Sequence, residues 1–136
     1  MSDWNAALIQ EFRANGGTVG GRFVGEPLLL LNSTGAKSGM QRTSPVLYST
    51  SGDGYVVIAS KAGADSHPAW YYNLLANPEA TIEVGEQTIA VKAREAVGDE
   101  RASLFANQAA RFPFFNDYQA GTERTIPVFV LTPTTP

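Results

Sequence analysis

No cysteine occurs anywhere in the chain, which excludes disulfides, thiolate-bound metals and a cysteine nucleophile. Histidine is almost as scarce, with His67 standing alone. That excludes a multi-histidine metal centre and leaves little room for a serine–histidine pair. Long apolar runs are missing too. The longest are "LLLL", "VVIA" and "VFVL", too short to span a bilayer. The opening "MSDWNAAL" has no basic segment ahead of an apolar one. These absences predict a cytoplasmic protein with at most a peripheral contact to a membrane. An excess of positive charge is also lacking: the net charge is −3, which argues against nucleic acid as a partner. Paired-carboxylate motifs, metal signatures and a nucleophile elbow are absent. An enzyme built on this sequence would therefore take its chemistry from a bound cofactor.

What is present is charge of one sign in one place. Between Pro27 and Gly52 there is no acidic residue, while Lys37 and Arg42 both fall there and Lys61 follows. Eight of the thirteen acids lie at or after Glu79, so an anion site would be local to this window. At its centre is "STGAKSGMQRTSP", residues 33–45. It is not a P-loop, because Ala36 rather than glycine precedes Lys37-Ser38 and a strand pattern follows. It offers Gly35 and Gly39 for a turn, hydroxyls at Ser33, Thr34, Ser38, Thr43 and Ser44, and two cations. Backbone amides with Lys and Arg can cradle a phosphate or carboxylate. A plain solvated hairpin fits the same residues.

The 136 residues, 43% of them hydrophobic, suit one domain with its own core. "SDWNAALIQEFRANGG" predicts a helix, with Ser2 as N-cap, Trp4, Leu8 and Phe12 on one face, and Gly16-Gly17 as its end. With the Gly-rich crossing "GGTVGGRFVGEP" it makes an N-terminal section over 1–26. Strands are expected at Leu28–Asn32, Pro45–Thr50 and Tyr55–Ser60, with "SGDG" as the turn between the last two. "SHPAWYYNLLANP" predicts a helix with Ser66 as N-cap, Pro68 in its first turn and Asn77-Pro78 as its stop. "ATIEV" and "TIAVKAREAV" flank a hairpin signal at Gly85-Glu86-Gln87. "GDERASLFANQAARF" is an amphipathic helix, "PFFNDYQAGTERT" a loop or short helix, and "IPVFVLTP" a closing strand. The total is six strands and about three helices. Short connections favour antiparallel pairing, and six strands with few covering helices close most readily as a barrel over 27–132, followed by a tail at 133–136.

Two further segments carry candidate chemistry. In "IASKAGADSHPAWYYNLLANP", Lys61 lies in a loop leading to a helix N-terminus, an anion-friendly place. Trp70, Tyr71 and Tyr72 are consecutive, so at least one must face a surface or a ligand. His67, before a proline, reads as structural or exposed. In "RFPFFNDYQAGTERTIP", the cluster Phe112, Phe114, Phe115 and Tyr118 is either core or an apolar wall for a flat substrate. Tyr118 is its one hydroxyl acid.

Three segments, "LLLLNSTGAKSGMQRTSPV", "VVIASKAGADSHPAWYYNLLANPEATIEVG" and "AREAVGDERASLFANQAARFPFFNDYQAGTERTIPVFVL", resemble the deazaflavin-dependent nitroreductase and quinone reductase family in order and spacing. The string P-x-W-Y-x-N-L-x-A-N-P, here Pro68 to Pro78, followed by R-T-I-P-V, is the most specific part. The resemblance spans residues 27–132 and implies an α+β, mainly β fold: a six-stranded antiparallel split β-barrel, FMN-binding-like, with flanking helices. It also implies coenzyme F420 as cofactor, a deazaflavin with a phosphate and an oligoglutamate tail, with FMN the less favoured alternative. Lys37 and Arg42 match the phosphate- and tail-binding cations. Ser44 and Pro45 match groove-lining positions. Ala59, Ser60, Lys61 and Gly63 match the loop whose backbone faces the deazaflavin ring, and Trp70 and Asn73 match the helix beside it. Phe112, Phe115 and Tyr118 match a substrate pocket, with Tyr118 as the candidate proton donor. Ala36 stands where one branch carries Arg, and Phe112 and Phe115 stand where that branch carries tyrosines. Quinone or activated enone reduction is thus implied more directly than reduction of bicyclic nitroimidazoles. A small-molecule redox acceptor and a homodimer complete the expectation. A non-catalytic deazaflavin or small-ligand carrier is the rival reading.

Overall fold

The structure, a computed structural model, describes residues 3–17, 27–52, 54–60 and 66–134. Along the chain run α1 (Asp3–Ala14), β1 (Leu28–Thr34), β2 (Gln41–Ser51), β3 (Gly54–Ile58), α2 (Ala69–Ala76), β4 (Glu79–Val84), β5 (Gln87–Ala96), α3 (Gly98–Arg111), α4 (Phe114–Ala120) and β6 (Val128–Pro133). The strands close into a barrel in the order β1-β2-β3-β6-β5-β4. Every neighbouring pair is antiparallel. The expected six-stranded antiparallel barrel is the observed one, and "PFFNDYQA" resolves as the helix α4. Ser2, the Gly-rich crossing at 18–26, Asp53, Lys61 and Gly63 lie outside the described residues, as does the side chain of Trp4.

The short apolar runs explain where the core sits. In a strand, alternate residues face opposite sides, yet Leu28, Leu29, Leu30 and Leu31 are all buried. Leu29 and Leu31 join the barrel interior with Val57, Phe129 and Leu131. Leu28 and Leu30 face outward, where Leu8 and Phe12 of α1 cover them. The outward residues of β3 and β6, Val56, Ile58, Val128 and Val130, are covered by Phe105 of α3 and Phe115 of α4. These strands are therefore continuous apolar runs because both their faces are buried. The helix α2 contributes Trp70 and Leu74 to the interior cluster, with the Trp70 ring edge-on to Phe129 at 6.0 Å.

Polar side chains fix the seam where the barrel closes. Asn32 pairs in register with Thr43 on β2 and with Thr81 on β4. Its carbonyl accepts from the Thr43 hydroxyl at 2.6 Å, and its amide donates to Glu83 Oε2 at 2.9 Å and to Thr81 Oγ1 at 3.3 Å. Arg13, at the end of α1, grips the same carboxylate with two bonds, 3.0 and 2.7 Å. The bond from Arg13, assisted by the one from Asn32, holds the Glu83 carboxyl below its ordinary range against the opposing effect of burial. On α3 the fully buried Gln108 accepts from the Ser49 hydroxyl at 2.8 Å, tying that helix to β2.

Three expectations need correction. The third strand runs Gly54–Ile58 and stops short of Ser60, where its ladder with β6 ends at the Ile58–Val128 pair. The strands β1 and β2 extend further than their apolar residues, to Thr34 and back to Gln41, because the ladder continues through polar pairs such as Ser33 with Arg42. Ser66 does not cap α2. Pro68 occupies the cap position with extended backbone and no side-chain bond, and Asn77 ends the helix with its amide on Asn73 O at 2.8 Å. The end of α1 follows the glycine reading: the Gly17 amide donates to Phe12 O at 2.8 Å in a left-handed turn.

Gly17 has φ +95°, and a Cβ there would lie 2.6 Å from the Gly85 Cα in the β4–β5 turn. Both strain and clash bear on the docking of α1. Gly17→Ala is expected to lower stability by about 1–3 kcal/mol, read as a lower urea midpoint at unchanged slope. An unshifted midpoint would show that the contact does not constrain the fold.

Candidate functional site

The loop at 35–40 that joins β1 to β2 is closed by its own backbone. The Gly35 amide donates to Met40 O at 2.7 Å and the Gly39 amide to Gly35 O at 3.0 Å. Gly39 adopts φ +71°, which glycine permits. The Ser38 hydroxyl accepts from the Met40 amide at 3.2 Å. Lys37 is left exposed at the tip of the turn.

One side chain of α2 pins this loop to the barrel. Asn73 Oδ1 accepts from the Ala36 amide at 3.0 Å, and Asn73 Nδ2 donates to Ser33 Oγ at 3.2 Å. Asn73 and Ser33 are 6% and 1% exposed, so the bracket works out of water, where an unmade bond is costly. A primary amide suits the place because it presents a donor and an acceptor in one plane.

Between the loop, the start of β2 and the outer face of α2 lies a groove of about 1330 Å³. Lys37, Ser38, Arg42, Thr43 and Ser44 form one wall; Ala69, Trp70, Tyr72, Leu75 and Ala76 form the other, with Asn73 between them. Arg42 is opposite Ser33 and Ser44 opposite Leu31, so both share the strand face that meets α2. Tyr72 and Leu75 are 49% and 51% exposed. None of the described lining residues is acidic. The groove therefore joins two cations and the hydroxyls of Ser38 and Ser44 to an apolar aromatic wall, which suits a flat ligand bearing acidic groups. A smaller cleft of about 480 Å³ lies beneath the end of α1. Its one cation, Arg13, is paired with Glu83 at 2.7 Å, and Glu86 leaves the lining with an excess of negative charge.

Of the residues singled out from sequence, Lys37, Arg42, Ser44, Trp70 and Asn73 meet on this groove. Pro45 is paired with Leu30 and faces the other side of β2. Ala59 and Ser60 follow β3 and are buried. Lys61 and Gly63 are outside the described residues. Phe112 and Phe115 are 5% and 4% exposed, and the structure places them in the core that α3 and α4 lay over β3 and β6, rather than on the groove. Tyr118 packs against that cluster, 5.3 Å from the Phe114 ring and 5.8 Å from that of Phe115. The consecutive aromatics of α2 divide as expected: Trp70 is buried, Tyr71 half-buried and Tyr72 exposed on the groove. Sequence reasoning missed Leu75, although it is three residues from Tyr72 and so on the same helical face. It also assigned no role to Arg124, whose side chain reaches Ala59, Ser60 and His67.

A closed antiparallel barrel whose groove has two cations and no acid among its described lining residues, beside an aromatic helix, can accommodate a small anionic ligand. Known proteins of this shape narrow the class. A solved F420-H2-dependent reductase superposes with a TM-score of 0.72 and 37% identity, covering 77% of this chain and 93% of that one. A second solved structure, described as a domain-swapped dimer, has a TM-score of 0.74 and 34% identity, covering 93% of this chain and 92% of that one. An F420H(2)-dependent quinone reductase of Mycobacterium tuberculosis (strain H37Rv) is 40% identical over 128 residues, 89% of this chain and 84% of the relative. The F420H(2)-dependent quinone reductase family model matches residues 5–133. The chain belongs to that family.

The Asn73 bracket generates a prediction. Asn73→Leu orphans the Ala36 amide and the Ser33 hydroxyl and is expected to cost about 1–3 kcal/mol in urea unfolding, with faster amide exchange at Ala36. Asn73→Asp keeps the acceptor, and the Ser33 hydroxyl can turn to donate, so it should lose less. Equal losses for the two variants would rule out the bracket as the cause.

Proposed function

We propose that this chain is an F420H2-dependent reductase that delivers a hydride to a quinone-type acceptor. The observation that carries the reading is the groove itself: two cations with no acid among the described lining residues, placed next to an aromatic wall, in a chain of this family. The residues present fit the cofactor. Lys37 and Arg42 offer charge to its phosphate and carboxylates, Ser38 and Ser44 offer hydroxyls, and Trp70 and Tyr72 offer apolar surface to its ring system. When bound in reduced form, the deazaflavin supplies a hydride and favours two-electron over one-electron chemistry.

The chain's own groups bind, orient and dry the site. Lys37 and Arg42 would anchor the anionic end, and no carboxylate among the described lining residues opposes their attraction. The backbone at Ala59 and Ser60 would face the ring, and the wall of α2 would exclude water from it. Holding the two reactants at near-attack distance is the protein's main contribution to rate. Tyr118 holds a proton at its phenolic oxygen for the reduced acceptor. Its helix is joined through Gln119 to Arg124, and so to the Ala59–Ser60 segment. The homodimer belongs to this reading, supported by the relative described as a domain-swapped dimer. So does a cytoplasmic location, supported by the lack of any described helix long and apolar enough to cross a membrane.

The reading is tested by fluorescence titration with oxidised F420 beside FMN, followed by steady-state oxidation of F420H2 with menadione. Saturable F420 binding with turnover is expected. Binding without turnover would favour a carrier, and binding of FMN alone would reassign the cofactor. Lys37→Ala or Arg42→Ala should each weaken F420 binding by about 1–3 kcal/mol, less at high salt; an unchanged Kd would remove the anion anchor. Tyr118→Phe should lower turnover while leaving the Kd for F420 unchanged. Full turnover in that variant would assign the proton to solvent.

A further inference from the structure

We propose that Arg124 is a positioning residue for this reaction: its guanidinium fixes the Ala59–Ser60 peptide, and with it the direction of the Ser60 amide, against the start of α2. The inference rests on the functional reading above, in which the Ala59–Ser60 backbone faces the cofactor ring.

Arg124 lies in the connection between α4 and β6. Its Nη2 donates to Ser60 O at 2.7 Å, and its Nη1 donates to Ala59 O at 3.3 Å. The same Nη1 is 3.0 Å from His67 Nδ1. One planar group thus ties the exit of β3 to the residues just ahead of α2. Ala59 and Ser60 are 0% and 8% exposed, so these carbonyls are held where water competes poorly. The Ala59 amide is held as well, donating to Pro127 O at 2.9 Å. A trans peptide sets its N–H opposite its C=O. With the Ala59 carbonyl turned to Arg124, the Ser60 N–H points away from the guanidinium.

Arg124 is itself set in place. Its carbonyl accepts from Gln119 Nε2 at 2.8 Å. Gln119 Oε1 accepts from Arg101 Nη2 at 2.9 Å and from the Ile126 amide at 3.0 Å. A lysine could carry the charge, but it lacks the fork that reaches two carbonyls and an imidazole together.

The imidazole makes the arrangement sensitive to acid. A guanidinium only donates, so His67 Nδ1 must accept, and the ring is neutral with its proton on Nε2. Among the described residues, the groups facing His67 are Arg124, Glu95 of β5, and Tyr71 and Tyr72 of α2, the Tyr71 ring stacked at 4.1 Å. Burial first, and the charge of Arg124 second, push the His67 pKa below its ordinary value, with Glu95 opposing. The contact is therefore intact above the ordinary imidazole range. It is lost as the pH falls through the lowered value, when protonation turns Nδ1 into a donor facing a donor.

The test uses Arg124→Lys in the full chain. In the protein without ligand, 15N NMR of wild type should show His67 with its proton on Nε2. The variant should show mixed tautomers and a displaced Ser60 amide signal. With F420H2 and menadione, kcat should fall about tenfold, as for a small misplacement of a reacting pair, while the Kd for oxidised F420 stays within about twofold. An unmoved Ser60 amide, or an unchanged kcat, overturns the proposal. Should Arg124→Lys fail to fold, His67→Gln decides: it keeps an acceptor for Arg124 without the titration. The acid limb of kcat below the ordinary imidazole range should then flatten, and a limb identical to wild type overturns the proposal. If wild type neither binds F420 nor oxidises F420H2, the functional reading fails. The NMR result on the ligand-free chain still decides separately whether Arg124 holds the peptide.

Discussion

β1 is bonded along both edges and buried on both faces, and the rest of the molecule is arranged to meet that demand. Its inward leucines build the interior, its outward leucines require α1, and its pairing with β4 closes the barrel. The run of four leucines cannot set its own register, because a slip of one residue exchanges apolar for apolar. The two polar residues that follow do so. Asn32 faces outward to Thr43, Thr81 and Glu83, and Ser33 faces inward to Asn73. A slip would turn the Asn32 amide into the leucine-lined interior and strip Asn73 of a partner, so the specificity of the seam lies in hydrogen bonds while its energy lies in burial.

The elements were legible where local chemistry decides them. The six strands, the two-glycine end of α1, the Gly85 turn and the Asn77-Pro78 stop follow from residue type at fixed spacing. An antiparallel barrel followed from the number of strands and their short connections, whereas the order that sets β6 between β3 and β5 and β4 against β1 did not. The polar ends of β1 and β2 were not legible, because their ladder is sustained by the partner strand rather than by apolar residues of their own. Nor was the position of the cap: the extended backbone of Pro68, not Ser66, occupies the cap of α2.

The groove was half legible. Its cations could be read from an acid-free window, and the resemblance supplied Trp70 and Asn73. The role of Asn73 could not be read, because its partners at Ser33 and Ala36 are brought near only when the barrel closes. Arg124 is hidden for the same reason: it is far along the chain from Ala59, and no periodicity marks an arginine whose partners are backbone carbonyls. Phe112 and Phe115 show the reverse. A dense aromatic cluster reads equally as a binding wall or as core, and the choice depends on which strand face α3 and α4 cover.

The Asn73 bracket also bears on how tightly anything can be held in the groove. Because the loop bearing Lys37 is fastened to α2 by the fold, the conformational entropy of ordering it is settled during folding rather than at each encounter with a ligand. The groove is preorganised, so more of its electrostatic attraction can appear as affinity. The same coupling makes affinity hostage to packing elsewhere. A substitution under α2, at Leu74 or Phe129, would let the helix shift and loosen the loop without touching a single group that meets the ligand.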